Sequence, residues 1–493
     1  MKLSKLLEKL EYEVVSGSVD VEVGQLLMDS RKVQKGDVFV AISGAVRDAH
    51  DFVPSVCEAG AGAVIVEKDV NVSTTATIIK VADTRYALAC MAAAFYDYPA
   101  SKLTTIGVTG TKGKTTTTYM VRSVLEGIGI KTGLIGTIET IISEDQPRIP
   151  SENTTPESLL VQEYFARMVE AGCKAVVMEV SSQGLMLHRV AGFTFDYGVY
   201  TNLSPDHIGP NEHKDFEDYM NCKAMLFRNC KHGIFNADDK YVEKMMEKAT
   251  CTKETFGTVA GCGKADLLAD NISLFTKPGI LGVAYDLSGK KNMRVEIDVP
   301  GAFSVHNSLT AISICLHFTD DLEAIQKALG SIRVKGRVEI IPVSPKYTLM
   351  IDYAHNAMSL ESLLSTLKEY EHGRIVTLFG CGGNRDRNRR FEMGEISSKM
   401  SDLTIVTSDN PRNEEPMAII EDIVTGVKRA DGEYVTIPDR KEAIRYAIEH
   451  GQEGDIIVLA GKGHEDYQII GDKKYHMDER ELIAEVMEEL GMK

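Results

Sequence analysis

The sequence is short of basic residues, and this shortage limits the partners that the protein can bind. Its 493 residues include 55 Lys and Arg against 72 Asp and Glu, which gives a formal net charge of -17 at pH 7. Proteins that follow nucleic acid need extended basic patches to neutralise phosphates, so we expect no nucleic-acid partner. A small anion such as ATP remains compatible with this charge, because one locally basic pocket is enough to hold it.

The sequence also lacks paired cysteines and long apolar runs. Its nine cysteines include no Cys-x-x-Cys pair and no clustering typical of a zinc site. Apolar stretches such as 175–178 and 456–460 have the length of a strand, far short of a membrane-spanning helix. No signal peptide is recognisable. We therefore expect a cytoplasmic protein that does not insert into a membrane, and we expect it to act as a monomer.

At this length one hydrophobic core is not enough, so several domains are expected. Strand-like and helix-like segments alternate along the chain, which predicts an α/β fold with mostly parallel, doubly wound sheets. A helical segment stops at Pro99, and a new strand pattern begins near Arg333. These features predict three domains, at 1–99, 100–331 and 332–493.

The stretch 104–128 has the pattern of a phosphate-binding loop. A short apolar strand leads into GTKGKT (110–115), and a helix with regularly spaced apolar residues follows. Glycines let the backbone approach an anion, Lys114 can bridge phosphate oxygens, and the Thr115 hydroxyl can hold Mg²⁺. The usual P-loop has glycine where this chain has Val108, so the motif is the compact form of moderate specificity.

Other polar groups stand where strands end. Glu179 closes the apolar run 175–180, although a core strand does not tolerate an unpaired carboxylate. His207 lies in the loop after a second strand, and Lys223 lies on the helical segment 216–227, where a lysine usually extends towards solvent. Similar clusters follow later strands: DYAH (352–355), GCGGNRDRNRR (380–390), SDNPRNEEP (408–416) and GKGHEDYQ (461–468). Because ligands bind at the carboxyl ends of parallel strands, we expect several of these clusters to converge on one crevice.

The set of motifs resembles the Mur ligase family, ATP-dependent enzymes that form amide bonds in the cell-wall peptide stem. GTKGKTT, MEVSS, TNLSPDH, the helix lysine, GRVE, DYAH, DNPR and GKGHEDYQ occur in the family's order along nearly the whole chain. The resemblance implies a UDP-substrate domain, a central P-loop ATPase domain and a C-terminal Rossmann-like domain. It also implies that a carboxylate of UDP-N-acetylmuramoyl-L-alanyl-D-glutamate attacks ATP to give an acyl phosphate, which the amine of an amino acid then displaces.

The resemblance assigns residues to ATP and to Mg²⁺. The catalytic residues that it implies are Lys114, Glu179, His207 and Lys223. The magnesium ligands that it implies are Thr115, Glu179, His207 and Lys223, the lysine being carbamylated so that it offers an anionic oxygen. The implied ATP contacts are Gly110, Thr111, Lys112, Gly113, Lys114, Thr115, Thr116, Asn307, Arg337 and Asp352. For Arg337, a surface salt bridge is the alternative, and contacts from the last domain imply closure during turnover.

The resemblance also assigns contacts to the UDP-linked substrate. The implied contacts to uridine and diphosphate are Ser30, Arg31 and His50. The implied contacts to the muramoyl and peptide parts are Asn153, Thr154, Thr155, Ser181 and Arg189. Two departures from the family pattern affect this region: Leu187 stands where many members have glutamine, and DHIGPNEH (206–213) replaces the common DHLDYHG.

The DNPR motif resembles the signature of family members that add meso-diaminopimelate. This amino acid differs from lysine by a second carboxylate, which a guanidinium at Arg412, with Arg390 near it, would bind in bidentate fashion. The amino-acid contacts implied by the resemblance are Arg390, Asp409, Asn410, Pro411, Arg412, Gly461 and Glu465. A short polar loop containing proline is the alternative for DNPR.

Three other functions remain open from the sequence. A lysine-adding ligase of the same step is disfavoured by Arg412, and folylpolyglutamate synthetase would not carry the DSRKV…AHDF segment (29–52). A nucleotide-switched binding protein would use the P-loop without chemistry. Glu179, His207 and Lys223 would form a second metal site, which such a switch would not need.

Overall fold

The computed structural model of the chain describes residues 1–44, 47–206, 208–209, 212–277 and 279–492. The chain forms two compact units. The first is Met1–Asp266 together with Thr310–Asp320, and the second is Leu267–Leu309 together with Asp321–Lys493. The boundaries of the three predicted domains stay a prediction.

The first unit begins with a small sheet covered by helices. Its strands are β1 (Glu13–Ser16), β2 (Leu26–Leu27), β3 (Val38–Val40), β4 (Ala63–Val66) and β5 (Thr77–Lys80). They lie in the order β1-β5-β4-β3-β2, with only the β1–β5 pair antiparallel among the described strands of this sheet. Its helices are α1 (Leu3–Leu6), α2 (Val53–Glu58) and α3 (Thr84–Phe95), with short 3₁₀ helices at Ser30–Lys32, Ala49–Phe52 and Pro99–Lys102.

A larger sheet occupies the rest of the first unit. Its strands are β6 (Thr104–Thr109), β7 (Thr132–Ile135), β8 (Glu139–Ile141), β9 (Ile149–Pro150), β10 (Ala175–Glu179), β11 (Phe195–Tyr200), β12 (Cys230–Asn236) and β13 (Thr252–Thr258). They follow the order β13-β12-β11-β6-β10-β7-β8-β9, parallel from β13 to β7. Its helices are α4 (Lys114–Gly127), α5 (Ser158–Glu170), α6 (Ser182–Met186), α7 (Phe216–Ala224) and α8 (Val242–Glu247), and a 3₁₀ helix covers Met225–Arg228.

The second unit contains an antiparallel group and a parallel sheet. The antiparallel strands are β14 (Leu267–Lys277), β15 (Ile280–Gly289) and β16 (Met293–Ile297). The sheet has β17 (Glu339–Ile341), β18 (Thr348–Asp352), β19 (Ile375–Phe379), β20 (Leu403–Val406), β21 (Tyr434–Thr436) and β22 (Ile456–Ala460). Its order is β17-β18-β22-β19-β20-β21, with β17 antiparallel and the rest parallel.

Helices and one hairpin complete the second unit. The hairpin consists of β23 (Tyr467–Ile470) and β24 (Lys473–His476). The helix α9 (Phe303–Cys315) contributes residues to both units. The other helices are α10 (Leu322–Leu329), α11 (Ala357–Leu367), α12 (Asn388–Met400), α13 (Pro416–Val427), α14 (Arg440–Glu449) and α15 (Glu479–Glu489).

The central strands consist mostly of apolar residues, as expected where both faces of a parallel sheet are buried. Every residue of β10, β19 and β22 is buried, as expected for strands between two layers of helices. The predicted α/β class with mostly parallel sheets is therefore confirmed. Within the described residues, no helix combines the length and the apolar character needed to cross a membrane.

Candidate active site

The phosphate-loop pattern forms the predicted strand, turn and helix. β6 ends at Thr109 and α4 begins at Lys114. Between them Gly110 has φ +149° and Gly113 has φ +84°, which are values that favour glycine. A Cβ on Gly110 would lie 2.0 Å from the Thr201 hydroxyl oxygen. The turn therefore depends on these glycines, and it leaves the N-terminus of a 14-residue helix facing the loop, where an anion is favoured.

Two lysines meet at the carbonyl oxygen of Gly110. Lys114 Nζ donates to it at 2.9 Å and also to the carbonyl of Thr111 at 3.0 Å. Lys223 Nζ donates to the same Gly110 oxygen at 2.9 Å and lies 4.6 Å from the ring centre of Tyr219. Lys223 is only 2% exposed, so it does not extend towards solvent. Burial, followed by the charge of Lys114, lowers the pKa of Lys223 well below its usual value.

Glu179 lies at the end of β10, directly beside the strand that leads into the phosphate loop. It is the register partner of Val108 on β6 and is 1% exposed. Its two carboxylate oxygens accept from the backbone N–H and the hydroxyl of Thr137, at 2.9 and 3.0 Å. These neutral donors hold the carboxylate in place and leave lone pairs on both oxygens.

The loop after β11 packs against the phosphate loop. Asn202 Oδ1 accepts from the backbone N–H of Lys112 at 2.9 Å, and the Ser204 N–H donates to Thr111 Oγ1 at 3.0 Å. This loop leads to His207, which lies outside the described residues, so its predicted role as a magnesium ligand stays a prediction.

A second possible metal cluster lies at the start of α7, formed by two helix residues and His213 in the preceding loop. His213, Asp218 and Cys222 have ligand atoms within 4.8 Å of one another. His213 already uses both ring nitrogens, Nδ1 with Asp218 at 3.1 Å and Nε2 with the Ser182 hydroxyl at 2.9 Å. We interpret this cluster as a hydrogen-bonded support for the loop.

The residues predicted to bind the muramoyl and peptide parts form a line of hydroxyl groups along Glu179. Thr137 Oγ1 contacts Thr154 Oγ1 at 3.0 Å, and Thr155 Oγ1 contacts Ser181 Oγ at 3.1 Å. Arg189 donates to the Thr155 carbonyl at 3.0 Å. The structure thus brings Thr154, Thr155, Ser181 and Arg189 together, and Asn153 lies exposed in the same segment.

The predicted uridine and diphosphate contacts lie in the small sheet. Ser30 and Arg31 form a 3₁₀ turn, and the exposed Arg31 guanidinium is paired with Asp29 at 2.9 Å. His50 is buried, with Nδ1 2.6 Å from Asp48 and Nε2 accepting from a backbone N–H at 3.1 Å. Because Nε2 accepts, the ring proton stands on Nδ1, and neither nitrogen of His50 faces an open site.

In the second unit, the residues predicted to reach ATP have different environments. Asn307 is buried on α9. Arg337 lies 4.9 Å from the ring centre of Tyr353. Asp352 is 9% exposed, and its oxygens accept from the backbone N–H groups of Val338 and Ala354, both at 2.8 Å. Asp352 therefore fixes the loop that carries Arg337, and burial raises the pKa of this carboxyl.

The predicted amino-acid contacts also lie in the second unit, most of them in the loops after β20 and β22, the two strands that flank β19. Asn410 Nδ2 donates to Glu465 Oε2 at 3.1 Å, and Gly461 has φ +105°. Arg412 is half-buried with φ +52°, and its Nη1 donates to the Gly383 carbonyl at 2.9 Å. A cavity of about 740 Å³ lies beside this loop, bordered by Pro411, Arg412, Asn413, Gln468 and Ile470. The structure thus brings Asp409, Asn410, Pro411, Arg412, Gly461 and Glu465 into one region.

Arg390 does not fit the environment expected for a substrate-binding arginine. It is 1% exposed, and its Nη1 and Nη2 donate to Asp422 at 3.0 Å and Glu414 at 2.8 Å. Both ends of the guanidinium are therefore used inside the fold. Arg385 and Arg412 both lie next to Gly382, where an added Cβ would come 2.7 Å from Arg412 Nη1 and 3.8 Å from Arg385 Cγ.

Two supporting residues were not predicted from the sequence. Thr137, which binds both oxygens of Glu179, lies after a short strand and belongs to no recognised motif. Lys462, fully buried, donates to Asn410 and Glu465. Lys462 lies inside GKGHEDYQ, so that motif could have led to its prediction. No feature of the sequence pointed to Thr137.

Comparison with known protein families matches three segments of the chain. The model described as Mur ligase middle domain matches residues 108–315. The model described as Mur ligase, glutamate ligase domain matches residues 336–463, and the one described as Mur ligase family, catalytic domain matches residues 22–96.

Curated relatives match over almost the full length. A protein of Clostridium acetobutylicum named UDP-N-acetylmuramoyl-L-alanyl-D-glutamate--2,6-diaminopimelate ligase 1 is 43% identical, over 99% of this chain and 100% of its own. Proteins with the same name, without the final number, are 42% identical in Clostridium tetani and in Caldanaerobacter subterraneus subsp. tengcongensis. Both matches cover 99% of this chain, and 100% and 99% of the relatives.

Solved structures show the same fold. A structure of UDP-N-acetylmuramoyl-L-alanyl-D-glutamate--2,6-diaminopimelate ligase aligns with a TM-score of 0.74 and 27% identity, over 100% of this chain and 99% of that one. The MurF ligase of Thermotoga maritima in complex with ADP aligns with a TM-score of 0.57 and 18% identity, over 95% of this chain and 98% of that one.

Proposed function

The chain belongs to the Mur ligase family, and we propose that it joins meso-2,6-diaminopimelate to UDP-N-acetylmuramoyl-L-alanyl-D-glutamate in an ATP-dependent step of peptidoglycan precursor synthesis. The observation that carries the proposal is full-length similarity, above 40% identity, to relatives named for this reaction. The arrangement of Lys114, Glu179 and Lys223 around the phosphate loop supports it.

The reaction first makes a leaving group. A carboxylate cannot expel oxide, so the free side carboxylate of D-glutamate attacks the γ-phosphorus of ATP and releases ADP. The resulting acyl phosphate is attacked at its carbonyl carbon by the amine of diaminopimelate. The tetrahedral intermediate collapses, phosphate leaves, the amine loses a proton, and an amide remains.

Two anions must approach each other in the first step, and Lys114 is placed to offset their repulsion. Its ammonium group lies over the turn at Gly110 and Thr111, where the phosphates of a nucleotide would face the N-terminus of α4. Gly110, Thr111, Lys112 and Gly113 supply the backbone of this cradle, with Thr115 and Thr116 in the first turn of the helix. Asn307, Arg337 and Asp352 are proposed to contribute further ATP contacts.

Mg²⁺ fits the donors that the structure presents. Glu179 keeps lone pairs free beside the loop, Thr115 offers a hydroxyl, and Mg²⁺ prefers such oxygen ligands. When bound, it would neutralise charge between the carboxylate and the triphosphate. His207 and a carbamate on Lys223 are proposed to complete the ligand set.

The environment of Lys223 supports the proposed carbamylation. Carbon dioxide adds only to a neutral amine, and the buried Lys223 has a pKa well below its usual value. The modification turns this amine into an anion beside the Lys114 ammonium, which shares the same acceptor and attracts it. It would also supply an oxygen ligand from a side chain that otherwise offers none.

Arg412 is proposed to select diaminopimelate over lysine. Its half-buried guanidinium borders the cavity beside the 409–412 loop, and a planar guanidinium binds a carboxylate through two parallel hydrogen bonds. Glu465 is proposed to receive an ammonium group of the same substrate. The paired state of Arg390 leaves it as a support for this region, holding Glu414 and Asp422.

The test is a reaction of the purified protein with ATP, Mg²⁺ and the UDP-muramoyl dipeptide, run against a panel of diamino acids with the product mass measured. We expect the diaminopimelate product, with ADP release that requires both the dipeptide and the amino acid. Equal use of lysine would favour the lysine-adding function. ADP release without either substrate would favour a nucleotide switch.

We further propose that the protein acts as a monomer in the cytoplasm, where ATP and UDP-linked precursors are available. Sedimentation of the purified protein at micromolar concentration would reveal a larger assembly.

A further inference from the structure

Lys462 is a buried lysine among the residues that we propose bind the amino acid. It follows β22 and is 0% exposed. Its Nζ donates to Asn410 Oδ1 at 3.2 Å, to Glu465 Oε2 at 3.0 Å and to the carbonyl oxygen of Tyr467. It also lies 3.9 Å from Asp409 Oδ1. A lysine is rarely buried so completely unless its charge is paired, and here acceptors surround it.

These contacts fix the orientation of the Asn410 amide. Its oxygen accepts from Lys462 and from the backbone N–H of Ile469 at 2.9 Å, while its nitrogen donates to Glu465 at 3.1 Å. A flipped amide would turn its NH₂ group towards the Lys462 ammonium. Lys462 therefore determines which atoms of Asn410 and Glu465 are left to face a ligand.

Lys462 also sets the charge of the region. Asp409 and Glu465 contribute two carboxylates, and Lys462 lies within 4 Å of both. Water and salt screen the interactions between these charges only weakly, because the groups are buried or partly buried. The lysine offsets one of the two negative charges, so a ligand carboxylate meets less repulsion on its way to Arg412.

We propose that Lys462 is a positioning and specificity-determining residue for the amino-acid substrate. It acts through Asn410 and Glu465, and it keeps the site able to accept an amino acid with a second carboxylate. The inference rests on the proposed function, because it assumes that the site holds diaminopimelate.

The charge argument predicts opposite effects for two substitutions. Lys462→Met removes a positive charge, which penalises diaminopimelate more than lysine. Glu465→Gln removes a negative charge with little change of shape, which has the reverse effect on the same preference. Both substrates carry the same distal ammonium group, so a general loss of ammonium binding cancels in the ratio of their kcat/KM values.

The experiment measures kcat and KM for diaminopimelate, lysine and ATP in the full-length protein. For Lys462→Met we expect the diaminopimelate-to-lysine ratio of kcat/KM to fall by about tenfold or more, which is the scale of one charge-assisted hydrogen bond. We expect the KM for ATP to change by less than about twofold. Glu465→Gln should raise the ratio, and the double variant should return towards the original value. Lys399→Met, which removes an exposed lysine paired with Glu395 on the surface of the same unit, is the matched control and should leave the ratio unchanged.

The outcomes separate the inference from the proposed function. If the unaltered protein makes no diaminopimelate product, the proposed function is wrong. If it does, and both substitutions leave the ratio unchanged or shift it in the same direction, Lys462 has only a structural role and the inference is overturned. Should Lys462→Met fail to fold, the isosteric Glu465→Gln alone decides, because only the charge argument expects its ratio to rise.

Discussion

Lys223 illustrates how the surroundings of one residue change its chemistry. On a helix with apolar neighbours the sequence favours an extended, solvated lysine, yet the side chain points inward to Gly110. We predict that Lys223→Ala lowers ligase activity by about a hundredfold or more, which is the scale seen when a charge-stabilising group is removed from an active site. Short carboxylic acids added to this variant should restore part of the activity, because they can replace the carbamate.

The matched control is Lys231→Ala, which removes an exposed lysine paired with Asp196. Steady-state phosphate release measures both variants. Full activity of Lys223→Ala would contradict the carbamate assignment.

His464 gives a prediction for stability against pH. Burial, followed by the charges of Arg337, Lys335 and Arg480, lowers its pKa from 6.5 to about 4. Between these values the unfolded chain binds a proton that the folded protein does not, so stability falls as the pH drops from about 6.5 to about 4. Over this pH range the protonation of His464 lowers the free energy of unfolding by about 3 kcal/mol.

His464→Gln should remove that part of the pH dependence, as measured by denaturant unfolding at pH 7 and pH 4.5. The control, His450→Gln, replaces an exposed histidine that stacks on Tyr446. If the free energy of unfolding of His464→Gln still falls as steeply between pH 7 and pH 4.5, other groups cause the loss of stability in acid.

Among the elements, the turn between β7 and β8 holds the Glu179 carboxylate in position through Thr137. Gly136 lies in this turn, and a Cβ there would come 2.7 Å from Glu179 Oε1. We predict that Gly136→Ala displaces the carboxylate and lowers kcat by about tenfold or more, while the melting temperature changes by only a few degrees.

Gly330→Ala provides the comparison, because a Cβ at that helix end meets nothing closer than 3.8 Å. Measuring kcat and thermal unfolding together separates the two effects. If Gly136→Ala keeps its activity, Glu179 can tolerate a shift and its proposed ligand role weakens.

The elements also show how far the sequence predicts this fold. The apolar runs 175–178 and 456–460 both form strands, at 175–179 and 456–460, because each is unbroken and bounded by polar residues. The strand–loop–helix at 104–127 was predictable for the same reason. The antiparallel strands from Leu267 to Ile297 were not predicted, because β14 is largely exposed and its sequence mixes charged and apolar residues.

For the site, the sequence predicted loops better than individual side-chain roles. Glu179 and Lys223 lie beside the phosphate loop as expected, because strand ends and motif order determine their place. Arg390 differs, since whether an arginine faces a ligand or an internal ion pair depends on Asp422 and Glu414, which are distant in the sequence. Such pairings arise only when the loops and helices pack.

At the scale of the whole molecule, charge governs which partners bind. With a net charge of -17, we predict no retention on heparin and no binding to duplex DNA at about 0.1 M salt, conditions under which surface charges act over about 10 Å. Fluorescence anisotropy with labelled DNA tests this, and a polyanion-binding protein of similar size serves as the positive control. Salt-dependent DNA binding would mean that a basic surface exists despite the overall charge.

The shared contact of Lys114 and Lys223 with Gly110 has a consequence for the order of events. The acceptor belongs to the phosphate loop, so a nucleotide resting there would cover the Lys223 amine. Carbon dioxide would then have to arrive before the nucleotide and would be trapped until the nucleotide left. In degassed buffer, protein without nucleotide would then lose the carbamate and its activity first. Protein kept with saturating nucleotide would retain its activity for longer.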